Sequence, residues 1–317
     1  MERKPVRGSY DILWKGILEE LFDDFLRFLF PNARELFDLG KKFEFMDKEL
    51  SEIHPEAEEK PDMRFLDKLV KVHRRDGREE WVLVHVEVQG YYDAEFARRM
   101  FAYYCRIFAR HNRPITAVVI FSGQDGKRMP DHYVCKFAGT ELFYRYNALY
   151  LQDFTDEELA TNKNIFALAL LAAKKGLLKG KILDKELLNE KLLVFNKLFE
   201  RGLFLDKKVR ATMAFLNNYV QFEDPETNRT FMERIDKITG KKNSMGVIEL
   251  LAEIKAEEAR KEGHEKGLEE GREEGIAETK KAFVKNLLSV SGFSMDKIAS
   301  VVGVPLSFVK KVRDGKI

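Results

Sequence analysis

The chain has 317 residues, of which 44% are hydrophobic and 34% charged, with a formal net charge of only +2. This length predicts one large domain or two smaller ones, and the balanced charge leaves any nucleic-acid contact to local basic patches. The sequence has two cysteines without CxxC spacing, no apolar signal core and no membrane-spanning run, so we expect a cytoplasmic protein without a structural zinc, a disulfide framework or a membrane partner.

An amphipathic helix is predicted over residues 11–30, because apolar side chains recur there at helical spacing and Pro31 ends the pattern. Lys15 and Glu19 stand four residues apart and therefore share one helix face. The pattern alone fits a solvated charged face as well as a face turned towards a site. Residues 51–63 are polar and acidic and contain two prolines, so we expect a loop there.

Two strands joined by a tight turn are predicted next, over residues 65–72 and 81–89, with Asp76-Gly77 as the hairpin signal. Side chains of the second strand alternate. Four valines mark the core face, and the other face carries Leu83, His85, Glu87 and Gln89. The valine positions are Val82, Val84, Val86 and Val88. Several polar groups therefore fall on one face of an otherwise apolar strand.

Asp67 on the first strand and Glu87 on the second are candidate metal ligands. A carboxylate on a buried strand is costly unless it is paired or bound to a metal, and a suitable hairpin register would bring both acids together. Such a pair fits metal-assisted phosphodiester hydrolysis with Mg²⁺ or another divalent cation, and Gln89 occupies the third position of the set. A hairpin with scattered surface acids is the alternative.

A helix is predicted over residues 94–111, followed by strands over 115–121, 133–137 and 142–151. This order indicates a mixed α/β domain that ends near residue 154. Arg98 and Arg99 on the helix are candidate DNA contacts, although a solvated basic face is the simpler explanation for them. Residues 156–245 contain helix patterns without a catalytic constellation, so we expect a helical packing lobe there. These patterns cover 165–173, 183–199, 209–220 and 231–238.

One long charged helix is predicted over residues 246–278, with glycines at every fourth position. These are Gly263, Gly267, Gly271 and Gly275. Each glycine inside a helix costs about 1 kcal/mol relative to alanine, so the stripe needs a closely packed partner to be stable. The flanking charges exclude a membrane, and we expect either a homo-oligomer formed through this helix or a solvated linker.

The tail, residues 279–317, is predicted to form a helix–turn–helix, with Ser294 as a cap, Gly303 in the turn and Pro305 opening the second helix. From Lys280 onward it contains eight basic and two acidic residues. This charge favours DNA contact through Lys310 and Lys311. A protein-binding helical cap is the other interpretation.

Three segments of the first 155 residues are Asp67-Lys-Leu-Val70, Val84-His-Val-Glu-Val-Gln89 and Phe96-Ala-Arg-Arg-Met-Phe-Ala-Tyr-Tyr104. Together they resemble the Rpn family of recombination-promoting nucleases, also described as YhgA-like putative transposases. The segments Tyr10-Asp-Ile-Leu-Trp-Lys15 and Phe45-Met-Asp-Lys-Glu-Leu50 are also similar, and the resemblance covers roughly residues 8–155. The family is similar to the PD-(D/E)XK nuclease superfamily, which implies a restriction-endonuclease-like mixed sheet flanked by helices.

The resemblance implies that Asp67 and Glu87 bind the metal, with Gln89 where many members of the superfamily have lysine. It further implies a carboxylate from the first helix, for which Glu19 and Asp11 are the candidates, and a phosphate contact from Lys15. The expected function is a magnesium-dependent DNA endonuclease, a hydrolase linked to recombination or mobile elements. Two alternatives are a DNA- or partner-binding module on an inactive nuclease scaffold and a regulatory protein assembled through the glycine-repeat helix.

Overall fold

The computed structural model describes residues 7–46, 67–87, 93–113, 115–123, 128–202, 206–239, 260, 267, 271, 275–289 and 292–315, with the backbone alone at some of these positions. The chain divides into two compact units, Met1–Ile248 and Glu249–Ile317. Within the described residues, no helix has both the length and the apolar character needed to cross a lipid bilayer.

The described residues of the first unit begin with three helices: α1 (Arg7–Glu20), α2 (Phe22–Leu29) and α3 (Ala33–Leu36). The single helix expected over 11–30 is therefore two helices, because Leu21 leaves helical geometry at φ −115° and ψ 22°. Leu21 is itself fully buried, so the bend keeps the apolar side chains on one core, and their spacing does not reveal it. The residues that recur at helical spacing are buried at Trp14, Ile17, Leu18, Leu21, Phe22 and Phe25, whereas Phe28 is only partly buried.

A mixed five-stranded sheet follows, in the order β1-β2-β3-β4-β7. Its strands are β1 (Glu44–Phe45), β2 (Asp67–His73), β3 (Glu79–Glu87), β4 (Ile115–Phe121) and β7 (Asn147–Tyr150). The first three pair antiparallel, whereas β4 runs parallel to β3 and β7 parallel to β4. β5 (His132–Phe137) and β6 (Thr140–Arg145) form a separate hairpin. The expectation of a mixed sheet flanked by helices is confirmed.

The β2–β3 hairpin closes through the expected turn. Gly77 adopts φ +84°, a conformation that favours glycine, and its N–H donates to the carbonyl of Arg74 at 3.1 Å. The Arg78 side chain hydrogen-bonds the Asp76 carboxylate and lowers the pKa of Asp76 to about 2. This turn fixes the register of the two strands that contain the candidate acids.

Helices cover both faces of the sheet. α4 (Phe96–His111) packs Phe96, Met100 and Ile107 on one face, against side chains that include Leu83 and Phe121. We call this the α4 face. The opposite one, with Val70 and Val82, we call the valine face. There the Phe22 ring of α2 lies 5.8 Å from the Phe45 ring of β1, and Phe45 is the register partner of Val70.

The strand expected over 142–151 is two strands, β6 and β7, which belong to different sheets. The change occurs at Tyr146, which is buried and donates its backbone N–H to the backbone carbonyl of Asp131 at 3.0 Å. Apolar alternation continues through this residue, so the sequence pattern does not reveal where the chain passes from the hairpin to the central sheet.

After the sheet, the described residues of the first unit form five α-helices: α5 (Asp156–Thr161), α6 (Ile165–Gly176), α7 (Asp184–Phe199), α8 (Lys207–Tyr219) and α9 (Pro225–Thr239). The four expected helices are confirmed, and α5 is an addition that begins with a capping box at Thr155. The Phe166 ring of α6 lies 5.3 Å from that of Phe25, and the Phe215 ring of α8 lies 5.3 Å from that of Trp14. These helices therefore pack on α1 and α2.

The second unit contains helical residues 275–289 (α10), α11 (Met295–Val302) and α12 (Leu306–Arg313). Its small core is formed by Val284, Ile298, Ala299, Val309 and Val312. The expected cap and turn are confirmed: the Ser294 hydroxyl accepts from the Lys297 N–H at 3.3 Å, and Gly303 adopts φ +66°. Gly267, Gly271 and Gly275 are helical, and Gly263 lies outside the described residues.

Candidate active site

The register of the β2–β3 hairpin brings the two candidate metal-binding acids to neighbouring backbone positions. Asp67 is the direct partner of His85, and Glu87 lies two residues further along β3. Asp67 thus stands diagonally across from Glu87, and such positions in an antiparallel pair are about 7–8 Å apart. Positions 67, 85 and 87 also have the same parity in the strand alternation. The structure describes these three residues by their backbone, so the relation is one of register.

Glu87 also begins a row of residues across three parallel strands. Its register partner on β4 is Phe121, and Phe121 partners Tyr150 on β7. Because these strands run parallel, their carboxyl ends meet at one edge of the sheet, where α/β proteins commonly bind ligands. The rings of Phe121 and Tyr150 stack with their centroids 4.9 Å apart. A stacked pair of aromatic rings, of which Phe121 is buried, therefore continues the row that starts at Glu87.

The two arginines at the start of α4 differ in their surroundings. The Arg98 guanidinium lies 3.0 Å from the Glu95 carboxylate, with 69% of its side chain exposed. Arg99 pairs with Asp93, and its guanidinium lies 5.5 Å from the centroid of the Phe96 ring. That ring packs 5.3 Å from the ring of Phe121. Arg99 therefore adjoins the carboxyl edge of the sheet, whereas Arg98 faces solvent.

Glu19 is engaged on the valine face. It forms an ion pair with Nζ of Lys68 on β2, and the Lys68 side chain is only 2% exposed. Lys68 Nζ also lies 5.5 Å from the centroid of the Phe45 ring. Because Lys68 partners Val84 in the register, it has the opposite parity from Asp67. Glu19 therefore pairs with Lys68, whose position in the strand belongs to the opposite face of the sheet from positions 67 and 87.

The structure describes the remaining candidate residues to different extents. Lys15 is partly buried on α1, and Asp11 is described by its backbone alone. Gln89 lies outside the described residues. Lys310 and Lys311 are exposed on α12 in the second unit. The described part of the chain therefore assigns neither a partner nor a ligand to these positions.

The residue types at positions 67 and 87 fit a hard divalent cation. Carboxylate oxygens are the ligands that Mg²⁺ takes in proteins, usually one or two carboxylates together with several waters. Among the described side chains, no group of three or more His, Cys, Asp or Glu residues could hold a metal ion. Asp67 and Glu87 stay the candidate ligands.

Several cations that sequence patterns did not single out have defined surroundings in the described part of the structure, and Lys68, Lys191 and Arg128 are three of them. Lys68 interrupts the apolar positions of β2, and that interruption is a signal that could have found it. Lys191 occupies an apolar face of α7, four residues after Leu187, which is a similar signal. Arg128 lies in the loop after β4 and has no such signal, because its surroundings are formed by distant residues.

Comparisons of the chain with protein-family models, with curated proteins and with solved structures found no match. The functional conclusion therefore depends on the residues described above and on their chemistry.

Proposed function

We propose that this protein is a magnesium-dependent DNA endonuclease of the cytoplasm that acts in recombination or on mobile elements. The observation that supports the proposal best is the register of β2 and β3, which gives Asp67 and Glu87 diagonal positions of equal parity. Two acids at that separation suit a shared cation. The resemblance of the first 155 residues to Rpn nucleases supplies the biological setting.

In this proposal Asp67 and Glu87 hold the metal ion, and the Gln89 amide orients the attacking water or the scissile phosphate. When bound, Mg²⁺ would lower the pKa of a coordinated water and offset the charge that develops on the phosphate. Burial of both sheet faces at Leu69, Val70, Val82 and Leu83 gives the hairpin the rigidity that such a site requires. The basic contacts to DNA would come first from Arg99, beside the carboxyl edge.

Cleavage of supercoiled plasmid tests this proposal. Wild-type protein should nick or cut DNA in the presence of Mg²⁺, and EDTA should stop this cleavage. Glu87→Gln and Asp67→Asn should each lower the cleavage rate by about a thousandfold, the equivalent of several kcal/mol of transition-state stabilisation. Glu79→Gln is the matched control, because Glu79 lies at the other end of the same strand and should keep wild-type activity. Equal cleavage by the Glu87 and Glu79 variants would refute the assignment.

A DNA-binding module on an inactive scaffold is the second candidate, and the tail favours it. α11 and α12 form a helix–turn–helix with its own small core, and Lys310 and Lys311 are exposed. Binding without cleavage is then expected. The double variant Lys310→Gln, Lys311→Gln should weaken DNA binding and flatten its salt dependence, whereas Lys285→Gln on α10 serves as the control. Unchanged DNA binding by the double variant would exclude the tail as the DNA-binding element.

Self-association through the glycine-repeat helix is a further part of the proposal. A Cβ at Gly267, Gly271 or Gly275 would meet no atom within 4 Å, so these described positions leave open space for a second copy. Gly267→Leu, Gly271→Leu should convert a dimer to a monomer in sedimentation analysis. An unchanged molecular mass in this double variant would show that the helix does not form a dimer interface.

A further inference from the structure

The loop after β4 is fastened at both ends by side chains of the β7 region. The Tyr150 hydroxyl donates to the carbonyl of Met129 at 2.7 Å, and the Tyr146 hydroxyl donates to the carbonyl of Pro130. On the other side, the Gln152 amide donates to the carbonyl of Gly123. These hydrogen bonds fix the described ends of the loop at the carboxyl edge of the sheet.

Arg128 projects from this fastened loop in a defined orientation. Its guanidinium lies 3.7 Å from the centroid of the Tyr150 ring, within the range of a strong cation–π contact. Its two outer nitrogens lie 2.9 and 3.0 Å from the two oxygens of Asp153. The side chain is nevertheless 62% exposed. A planar cation is thus held in place and remains accessible from solvent.

The position of Arg128 relates it to the candidate metal site. Tyr150, on which it stacks, closes the register row that starts at Glu87 and passes through Phe121. Neighbouring strands are about 4.8 Å apart, so Glu87 and Tyr150 are about 10 Å apart in the backbone. A nucleic-acid strand rises about 3.4 Å per nucleotide, so a phosphate a few nucleotides from the scissile bond would reach Arg128.

We propose that Arg128 binds a backbone phosphate of the nucleic-acid substrate and positions the strand along the carboxyl edge of the sheet. The inference rests on the proposed nuclease function and names the residue that would hold its substrate. A guanidinium is a planar fork that matches phosphate geometry, and Arg128 is prearranged for it by Tyr150. An exposed ion pair contributes little stability, so a phosphate can displace Asp153.

DNA binding by the full-length protein tests the inference, measured in EDTA by fluorescence anisotropy at several salt concentrations. Arg128→Gln should weaken binding about tenfold, the size expected for a charged hydrogen bond, and lower the salt slope by about one. Arg128→Lys should restore part of the affinity, because it keeps the charge and loses the fork. With Mg²⁺, Arg128→Gln should raise KM more than it lowers kcat.

Arg145→Gln is the matched control. Arg145 also lies over an aromatic ring, 5.2 Å from the centroid of Phe143, also faces an acid, and is 63% exposed, but it belongs to the β5–β6 hairpin. Wild-type affinity in Arg128→Gln, or an equal loss in Arg145→Gln, would overturn the inference. Cleavage that survives Arg128→Gln with unchanged KM would overturn it while the nuclease stands. Arg128-dependent binding without any cleavage would support it and refute the nuclease.

Discussion

Three lysines are buried among the described residues, and the charges of two of them, Lys68 and Lys191, are stabilised in different ways. Lys68 on β2 is 2% exposed and is paired with the carboxylate of Glu19. Lys191 on α7 is 1% exposed, and its Nζ donates to the carbonyls of Asn217 at 3.1 Å and Val220 at 2.7 Å. Nζ of Lys191 also lies 4.6 and 4.9 Å from two phenylalanine rings, Phe231 and Phe222.

The difference shows how much a formal counter-charge matters inside a protein. Carbonyls at the C-terminus of α8 and aromatic faces attract an ammonium group, yet they carry no full negative charge. Burial therefore lowers the pKa of Lys191 to about 7. Lys68 has a carboxylate partner beside the hairpin of the candidate site. We infer that Lys68 fixes α1 on the sheet, whereas Lys191 closes the end of α8.

The largest expected effect is a dependence of stability on pH that comes from Lys191. Its pKa is about 7 in the folded protein and near 10.4 in an unfolded chain, so the unfolded state binds more protons between these values. The free energy of unfolding should therefore rise with pH in this window, by about 1.4 kcal/mol per unit from this group. Urea denaturation of wild type and Lys191→Met at pH 7, 8 and 9 measures it. Parallel pH profiles would contradict the prediction.

The ion pair of Lys68 should give the next largest effect. Glu19→Ala should cost about 1–3 kcal/mol, less than the 3–5 kcal/mol typical of a broken buried pair, because Glu19 is 44% exposed and solvent screens it. In a Lys68→Met background the same change should cost less than about 0.5 kcal/mol. Glu20→Ala is the control, since its partner Lys207 is 74% exposed. Equal losses of unfolding free energy in Glu19→Ala and Glu20→Ala would show that burial of Lys68 does not strengthen its ion pair.

A smaller effect is expected from the rings around Lys191. Phe231→Leu removes an aromatic face 4.6 Å from Nζ and should cost about 1–2 kcal/mol at pH 7, where part of Lys191 is charged. The cost should shrink at pH 9, because an uncharged amine gains little from the ring. Urea denaturation of wild type and Phe231→Leu at both pH values measures this cost, and Phe231→Leu in the Lys191→Met background is the control. A cost independent of pH would indicate lost packing alone.

Lys68 and Lys191 also show which features of the structure local sequence patterns cannot predict. Period-two alternation predicted β3, and a continuous apolar run predicted β4. The Asp76-Gly77 turn predicted the hairpin, whereas the register that relates Asp67 to Glu87 comes from the structure. Alternation also suggests that Lys68 is buried, but not that α1 supplies its partner 49 residues away. Contacts between distant segments depend on tertiary packing, which local patterns do not encode.

The same limit applies to the candidate site. The two acids are visible as charges on apolar strands, and their proximity follows from one hairpin. Arg128 is different, because its position depends on β7 pairing with β4 and on Tyr150 fastening a loop. In the sequence, Arg128 is one basic residue in a polar stretch, and nothing local distinguishes it from Arg145.

The smallest expected effect concerns Glu19 in catalysis and tests whether this carboxylate serves only as the partner of Lys68. If the role of Glu19 is to hold Lys68, Glu19→Gln should leave the Mg²⁺ concentration for half-maximal DNA cleavage within about twofold of wild type. Loss of a true metal ligand would instead remove several kcal/mol of metal-binding free energy. Glu87→Gln, measured in parallel, should lose cleavage at every Mg²⁺ concentration. A shift of a hundredfold or more for Glu19→Gln would instead make Glu19 the third acid that the family resemblance implies. The ion pair with Lys68 would then have to open when metal binds, and Lys68→Met would raise the affinity for Mg²⁺.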